Sequence, residues 1–214
     1  MKPAYYEKYR SILLSELIAA EGCTEPIAVA YAAAMARKVL GAFPESLSLV
    51  CSGNVVKNVM GVTIPHSGGR RGVDVAAIIG ALGGSADRAL EVLDDVTEEQ
   101  IAQIDPLLHA GFCRCSLAEG VEKLYIAVTV LRGNDSAFVE IRLRHTNITC
   151  IRRNGEVLLD TSEQETGEID RSCLDLHDIL DYAAGEDMDV LRSILCSQIE
   201  KNTAISREGL AHPY

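Results

Sequence analysis

Apolar side chains recur every third or fourth residue over much of the stretch from residue 5 to residue 108, and every second residue from 124 to 160. The first spacing lines one face of a helix and the second lines one face of a strand, so the chain should fold as helices followed by a sheet. Helical signals cover residues 5–20, 27–40, 73–82, 86–93 and 97–108, and return over 175–184 and 188–202. The second of these carries Ala28, Ala30, Ala32, Ala33, Ala34 and Ala36, small enough for neighbouring backbones to approach closely, and is expected to be buried. Thr24 suits its cap, Glu25 the positive end of its dipole, and Pro26 its first turn.

Strand signals fall at residues 47–51, 124–131, 137–144, 148–152 and 157–160, with alternation beginning near Cys113. Gly133-Asn134-Asp135-Ser136 and Asn154-Gly155 between them are hairpin turns, which predicts an antiparallel meander of about four strands. The expected class is α+β, with alanine-rich helices packed on an antiparallel sheet and residues 1–214 forming a single domain.

Composition narrows the function. A chain of 214 residues with 48% hydrophobic side chains can bury a core without metal or disulfide support. The balance of 20 Lys and Arg against 31 Asp and Glu, a net charge of −11, argues against nucleic acid as a partner. Acids cluster from Asp160 to Asp189, opposed there by Arg171 alone, as on a solvated face. No apolar run reaches the roughly 18 residues of a membrane helix, and residues 1–10 lack a secretory core, so a cytoplasmic protein is expected. Seven cysteines in such a compartment read as free thiols, metal ligands or small hydrophobes.

The phosphate-binding glycine loops, the zinc-protease helix and the nucleophile elbow are all missing from the sequence. Four groups of residues could carry other chemistry. Cys23 precedes a helix start, where unpaired N–H groups would favour a thiolate able to bind metal, although a small buried cysteine is the plainer reading. Ser52, Asn54 and Lys57 set an amide and a cation on one face of a short helix, suited to an amino-acid carboxylate. Gly68-Gly69-Arg70-Arg71-Gly72 offers amides and guanidinium groups to an anion. His145, Thr146 and Asn147 end a strand with an imidazole for proton transfer beside a hydroxyl and an amide. Cys113-x-Cys115 would put two thiols on one side of a strand with His109 shortly before, a weaker metal signal without a fourth ligand.

Five segments, taken in order, resemble one family. They are Gly22-Cys23-Thr24-Glu25-Pro26-Ile27-Ala28, the run from Ser52-Gly53-Asn54 through Lys57-Asn58 to Ile64-Pro65, Ala81-Leu82-Gly83-Gly84, His145-Thr146-Asn147-Ile148, and the run from Asn202-Thr203-Ala204-Ile205-Ser206 to Gly209-Leu210. Together they resemble the L-cysteine desulfidases, relatives of the iron–sulfur L-serine dehydratases. The resemblance implies a lyase that converts L-cysteine, or L-serine, to pyruvate, ammonia and sulfide or water with a [4Fe-4S] cluster. It implies Cys23 as a cluster ligand, His145 as a proton carrier, and Ser52, Asn54, Lys57, Thr146 and Asn147 as substrate-orienting groups. Members of that family are about twice as long and carry further cluster cysteines in their second half. This chain therefore reads as an N-terminal half, without a cluster or activity unless a C-terminal half is supplied.

Two other expectations compete. Lys57 could hold pyridoxal phosphate for the same elimination, although the meander argues against that cofactor. A cluster-free module that binds an amino acid without catalysis, dimerising through its alanine-rich helices, is the other.

Overall fold

The computed structural model describes residues 4–20, 22–161, 171–185 and 188–212. Along the chain run α1 (Tyr5–Glu16), α2 (Thr24–Leu40), β1 (Ser46–Ser52), α3 (Gly53–Met60), α4 (Val73–Gly83), α5 (Glu98–Ile101), α6 (Ile104–His109), β2 (Cys113–Ala118), β3 (Tyr125–Arg132), β4 (Asp135–Arg142), β5 (Ile148–Arg153), β6 (Glu156–Asp160), α7 (Leu176–Gly185) and α8 (Arg192–Ala211). Contacts divide the chain into two compact units, Ala20–Gln164, and Met1–Ala19 with Glu165–Tyr214.

The first unit is the α+β fold expected. Its six strands lie in the order β2-β1-β3-β4-β5-β6. Strands β3 to β6 form the antiparallel meander, and Asn154 and Gly155 take the positive φ values of 51° and 82° that a two-residue hairpin turn requires. The sheet extends beyond the meander: β3 also pairs antiparallel with β1, and β1 pairs in parallel with β2, so the whole is mixed. The helices between β1 and β2 carry the chain back to start β2 beside the beginning of β1, which makes that pair parallel.

Helix α2 lies across the sheet and against α4, with eleven residues buried, among them all six alanines. The close approach is literal: a methyl group on Gly80 would come within 2.6 Å of Ala30 Cα and collide with the Ala30 carbonyl oxygen. Arg37 of α2 donates to the carbonyls of Ala81 at 3.0 Å, Leu82 at 2.7 Å and Gly84 at 2.6 Å, satisfying acceptors at the C-terminal end of α4 that the helix itself leaves open.

The acidic helical stretches are more broken than their periodicity predicts. Residues 86–93 make a 3-10 segment, Ala86–Glu91, interrupted at Ala89, whose φ is 49°. Residues 97–108 split into α5 and α6, since Pro106 has no N–H to give and its ring crowds the turn before it.

The second unit centres on Tyr6, Tyr9, Tyr182 and Leu191. Its aromatic rings pack edge to face, and Tyr9 donates to the Cys173 carbonyl at 2.8 Å. Helix α1 ends at Glu16, short of the expected residue 20, and α8 runs on to Ala211, with Ile194 and Leu195 packed on the tyrosine cluster and its side chains exposed from Gln198 onward. Segments 162–170 and 186–187 of the acid-rich stretch lie outside the described residues. No described helix is long and apolar enough to cross a membrane.

Candidate functional site

The site is built on the first turn of α2. Cys23 is the N-cap, with φ −61° and ψ 124°, and Thr24, Glu25 and Pro26 follow as the first helical residues. Thr24 is therefore not the cap that its residue type suggests; its hydroxyl turns to side-chain partners instead. It lies 3.1 Å from His145 Nε2 and donates toward Glu25 Oε2 at 3.5 Å. Cys23 Sγ donates to the same Glu25 oxygen at 3.3 Å. The other carboxylate oxygen of Glu25 accepts from the Asn58 amide of α3 at 2.8 Å and stands 3.9 Å from His145 Nε2.

Three segments supply this group: the start of α2, the middle of α3, and the connection between β4 and β5 that carries His145. Each is positioned locally. Ser52 anchors α3, donating to the Lys123 carbonyl at 2.6 Å and accepting from the Val55 N–H at 3.4 Å as the helix cap. Asn147 donates to the Arg142 carbonyl at 2.9 Å, while the Arg142 N–H returns to the Asn147 carbonyl at 3.2 Å, closing the turn around His145. Arg142 is held in turn by two hydrogen bonds to Glu122, at 2.7 and 3.2 Å.

The electrostatics follow from partial burial. Glu25 exposes 17% of its side chain, and burial alone would raise its pKa; the bonds from Asn58 and Cys23, with a smaller pull from His145, hold it below the usual carboxylate value. Burial lowers His145 below the ordinary imidazole value despite the nearby carboxylate, which leaves the ring neutral near pH 7. Burial and the bond to Glu25 push the Cys23 thiol up. Burial and the neighbouring carboxylate thus weigh against the thiolate expected at the helix start, and the Cys23 thiol donates to Glu25.

Of the residues singled out in sequence, Cys23 and His145 belong to this group and Ser52 and Asn147 serve its framework. Asn54 and Lys57 are exposed on the stripe of α3 that also bears Asn58, and Thr146 is half-buried next to His145. Sequence reasoning missed Thr24, Glu25 and Asn58 as members. Glu25 and Asn58 both stood within the quoted segments, but a first-turn acid and a helix amide have ordinary structural uses that hide a pairing 33 residues apart.

Arg70 is not available to an anion as the glycine loop suggested. Its guanidinium is paired with Asp105 through two bonds, at 2.6 and 2.8 Å, and donates to the Ser67 carbonyl. Asp175, His177 and Asp178 are close enough together to suggest metal donors, but Asp175 accepts from the N–H groups of His177 and Asp178, as a cap at the start of α7 does.

The chain is 42% identical over 211 residues to a UPF0597 protein of Lachnoclostridium phytofermentans, a match covering 98% of this chain and 51% of the relative. A UPF0597 protein of Treponema denticola is 38% identical over 213 residues, covering 98% and 49%. One of Finegoldia magna is 42% identical over 207 residues, covering 95% and 50%. The chain thus spans about half the length of the curated relatives it matches, and their shared name specifies no activity. No family model and no solved structure matches it.

Proposed function

We propose that this chain is one half of a β-eliminating lyase acting on L-cysteine or L-serine, with Cys23 as one corner of a [4Fe-4S] cluster completed by the other half. One observation carries the reading. Segments that resemble the L-cysteine desulfidases at residues 22–28, 52–65 and 145–148 converge here, through Thr24 and His145, 121 residues apart, and Glu25 and Asn58. The half-length match to the relatives agrees with a site that needs a second half.

Cys23 suits one corner of such a cluster, in which one iron would be left without a cysteine ligand. Cys23 is the one cysteine in this hydrogen-bonded group, so the remaining ligands belong to the other half. When bound, the cluster would supply a Lewis-acidic iron for the substrate carboxylate.

The residues of this chain do the rest. Glu25 Oε2, already accepting from Cys23, is the oxygen placed to take the thiol proton when the sulfur becomes a ligand. Asn58 keeps that carboxylate in place. Neutral His145, its Nε2–H donating to the Thr24 hydroxyl that in turn donates toward Glu25, can accept the α-proton at Nδ1. As the α-proton leaves, the Cα–H electron pair forms the Cα–Cβ double bond and the β-substituent departs with its own pair as sulfide or hydroxide. The released aminoacrylate tautomerises and takes up water, giving pyruvate and ammonia. Asn54 and Lys57, exposed on the same stripe of α3 as Asn58, would meet the substrate carboxylate.

The test combines this chain with the remaining half of a full-length relative, reconstituted anaerobically with iron and sulfide. Pyruvate should form from L-cysteine or L-serine only with both halves and iron present, and His145→Gln should lower kcat by about 100-fold or more. Calorimetric binding of either amino acid without pyruvate would favour the non-catalytic module instead.

A further inference from the structure

We propose that Cys113 and Cys115 form a chelating dithiol site for one thiophilic divalent cation of the zinc and cadmium type, separate from the group around Cys23. Both residues lie on β2, the edge strand of the sheet, two positions apart and so on one face. Their sulfur atoms are 3.7 Å apart. Two thiolates each about 2.3 Å from a tetrahedral zinc ion stand about 3.8 Å from one another, so the pair already has the spacing that the ion imposes.

The surroundings suit a soft cation. Cys115 is exposed, and with Cys51, Val56, Val73 and Leu117 it lines an open cleft of about 250 Å³, so an ion has a way in. Among the described residues no further His, Cys, Asp or Glu donor lies within 4.8 Å of both sulfurs, so water would complete the coordination of an ion held by the pair. On binding, the thiol protons pass to solvent and both sulfurs become thiolate ligands.

Geometry favours chelation over a disulfide between the same residues. Two positions along an extended strand separate Cα atoms by about 6.6 Å, at the upper end of the range a disulfide spans, so oxidation would have to buckle β2. A metal bridge leaves the strand as it is.

The experiment titrates the whole chain with Cd2+ alone, anaerobically and with a phosphine reductant, following the ultraviolet charge-transfer absorption of cadmium thiolates. Zn2+ competition then gives the zinc affinity. One equivalent should bind, Cys115→Ser should weaken binding at least about tenfold, and Cys23→Ser should leave it unchanged. Cys115 is exposed, so its serine variant is the reading that folding cannot confuse; circular dichroism checks Cys113→Ser, which packs partly against the core. Absorption that survives the Cys113→Ser/Cys115→Ser double variant, that disappears with Cys23→Ser, or that never develops would overturn the assignment. So would a mass two hydrogens lower in air with no cadmium bound after reduction.

Discussion

Asn58 donates its side-chain amide to Glu25 Oε1 at 2.8 Å, so a residue in the middle of α3 fixes a carboxylate at the start of α2. A hydrogen bond to a charged, partly buried group is worth about 1.5–3 kcal/mol. In the assembled two-half protein, Asn58→Ala should therefore lower kcat/KM for the amino-acid substrate by about 10- to 150-fold. Steady-state pyruvate formation measures this, and an unchanged value would remove Asn58 from the site.

Packing between α2 and α4 leaves no room at Gly80. Its added methyl group would strike backbone atoms of Ala30, which cannot swing aside as a side chain can. Gly80→Ala should destabilise the protein by about 3 kcal/mol or more, despite the better helix propensity of alanine. Gly53→Ala, with nothing within 4 Å of the new carbon, is the control and should fall within about 1 kcal/mol of the parent. Urea midpoints of the two variants give the comparison.

Arg37 serves three carbonyls at the end of α4 at once. Arg37→Met keeps much of the side-chain length but leaves those acceptors without their donor, at a cost of about 2–3 kcal/mol. Arg37→Lys should recover part of the loss, since an ammonium is a point charge and cannot fork across the three oxygens. Equal stability of all three proteins in urea would contradict the capping role.

The turn that carries His145 depends on Arg142 and Glu122, and this has a pH signature. Burial alone would raise the Glu122 pKa, but backbone hydrogen bonds and the Arg142 guanidinium hold it below the usual carboxylate value. A depressed folded-state value stabilises the protein above the unfolded value of about 4.3, and that contribution is lost as pH falls through the folded value. Glu122→Gln should therefore lower the urea midpoint at pH 7 and converge with the parent as the solution is acidified. A gap that widens toward low pH would reverse the sign of the argument.

Local signals carried much of the fold. The alternation of β4 reports burial on one side, which leaves a period of two in the sequence, and the run of small residues in α2 reports a helix enclosed from Pro26 to Ala34. The parallel pairing of β1 with β2 leaves no such mark, since it depends on where three-dimensional packing returns the chain. At the site, Cys23 and His145 were legible as reactive residue types in suggestive places. Glu25 was read as a dipole partner and Thr24 as a cap because both uses are local, whereas their bonds to Asn58 and His145 exist only once α3 and the β4–β5 turn are in place.

The central claim is that Cys23 ligates a cluster shared between this chain and a second half. The direct measurement is the iron content and visible absorption of the assembled, anaerobically reconstituted protein, with and without Cys23→Ala, read beside pyruvate formation in the same samples. The account predicts about four irons per assembled pair in the parent, with colour and turnover lost together in the variant. Turnover that persists in Cys23→Ala, or an assembled parent that takes up no iron, would contradict it.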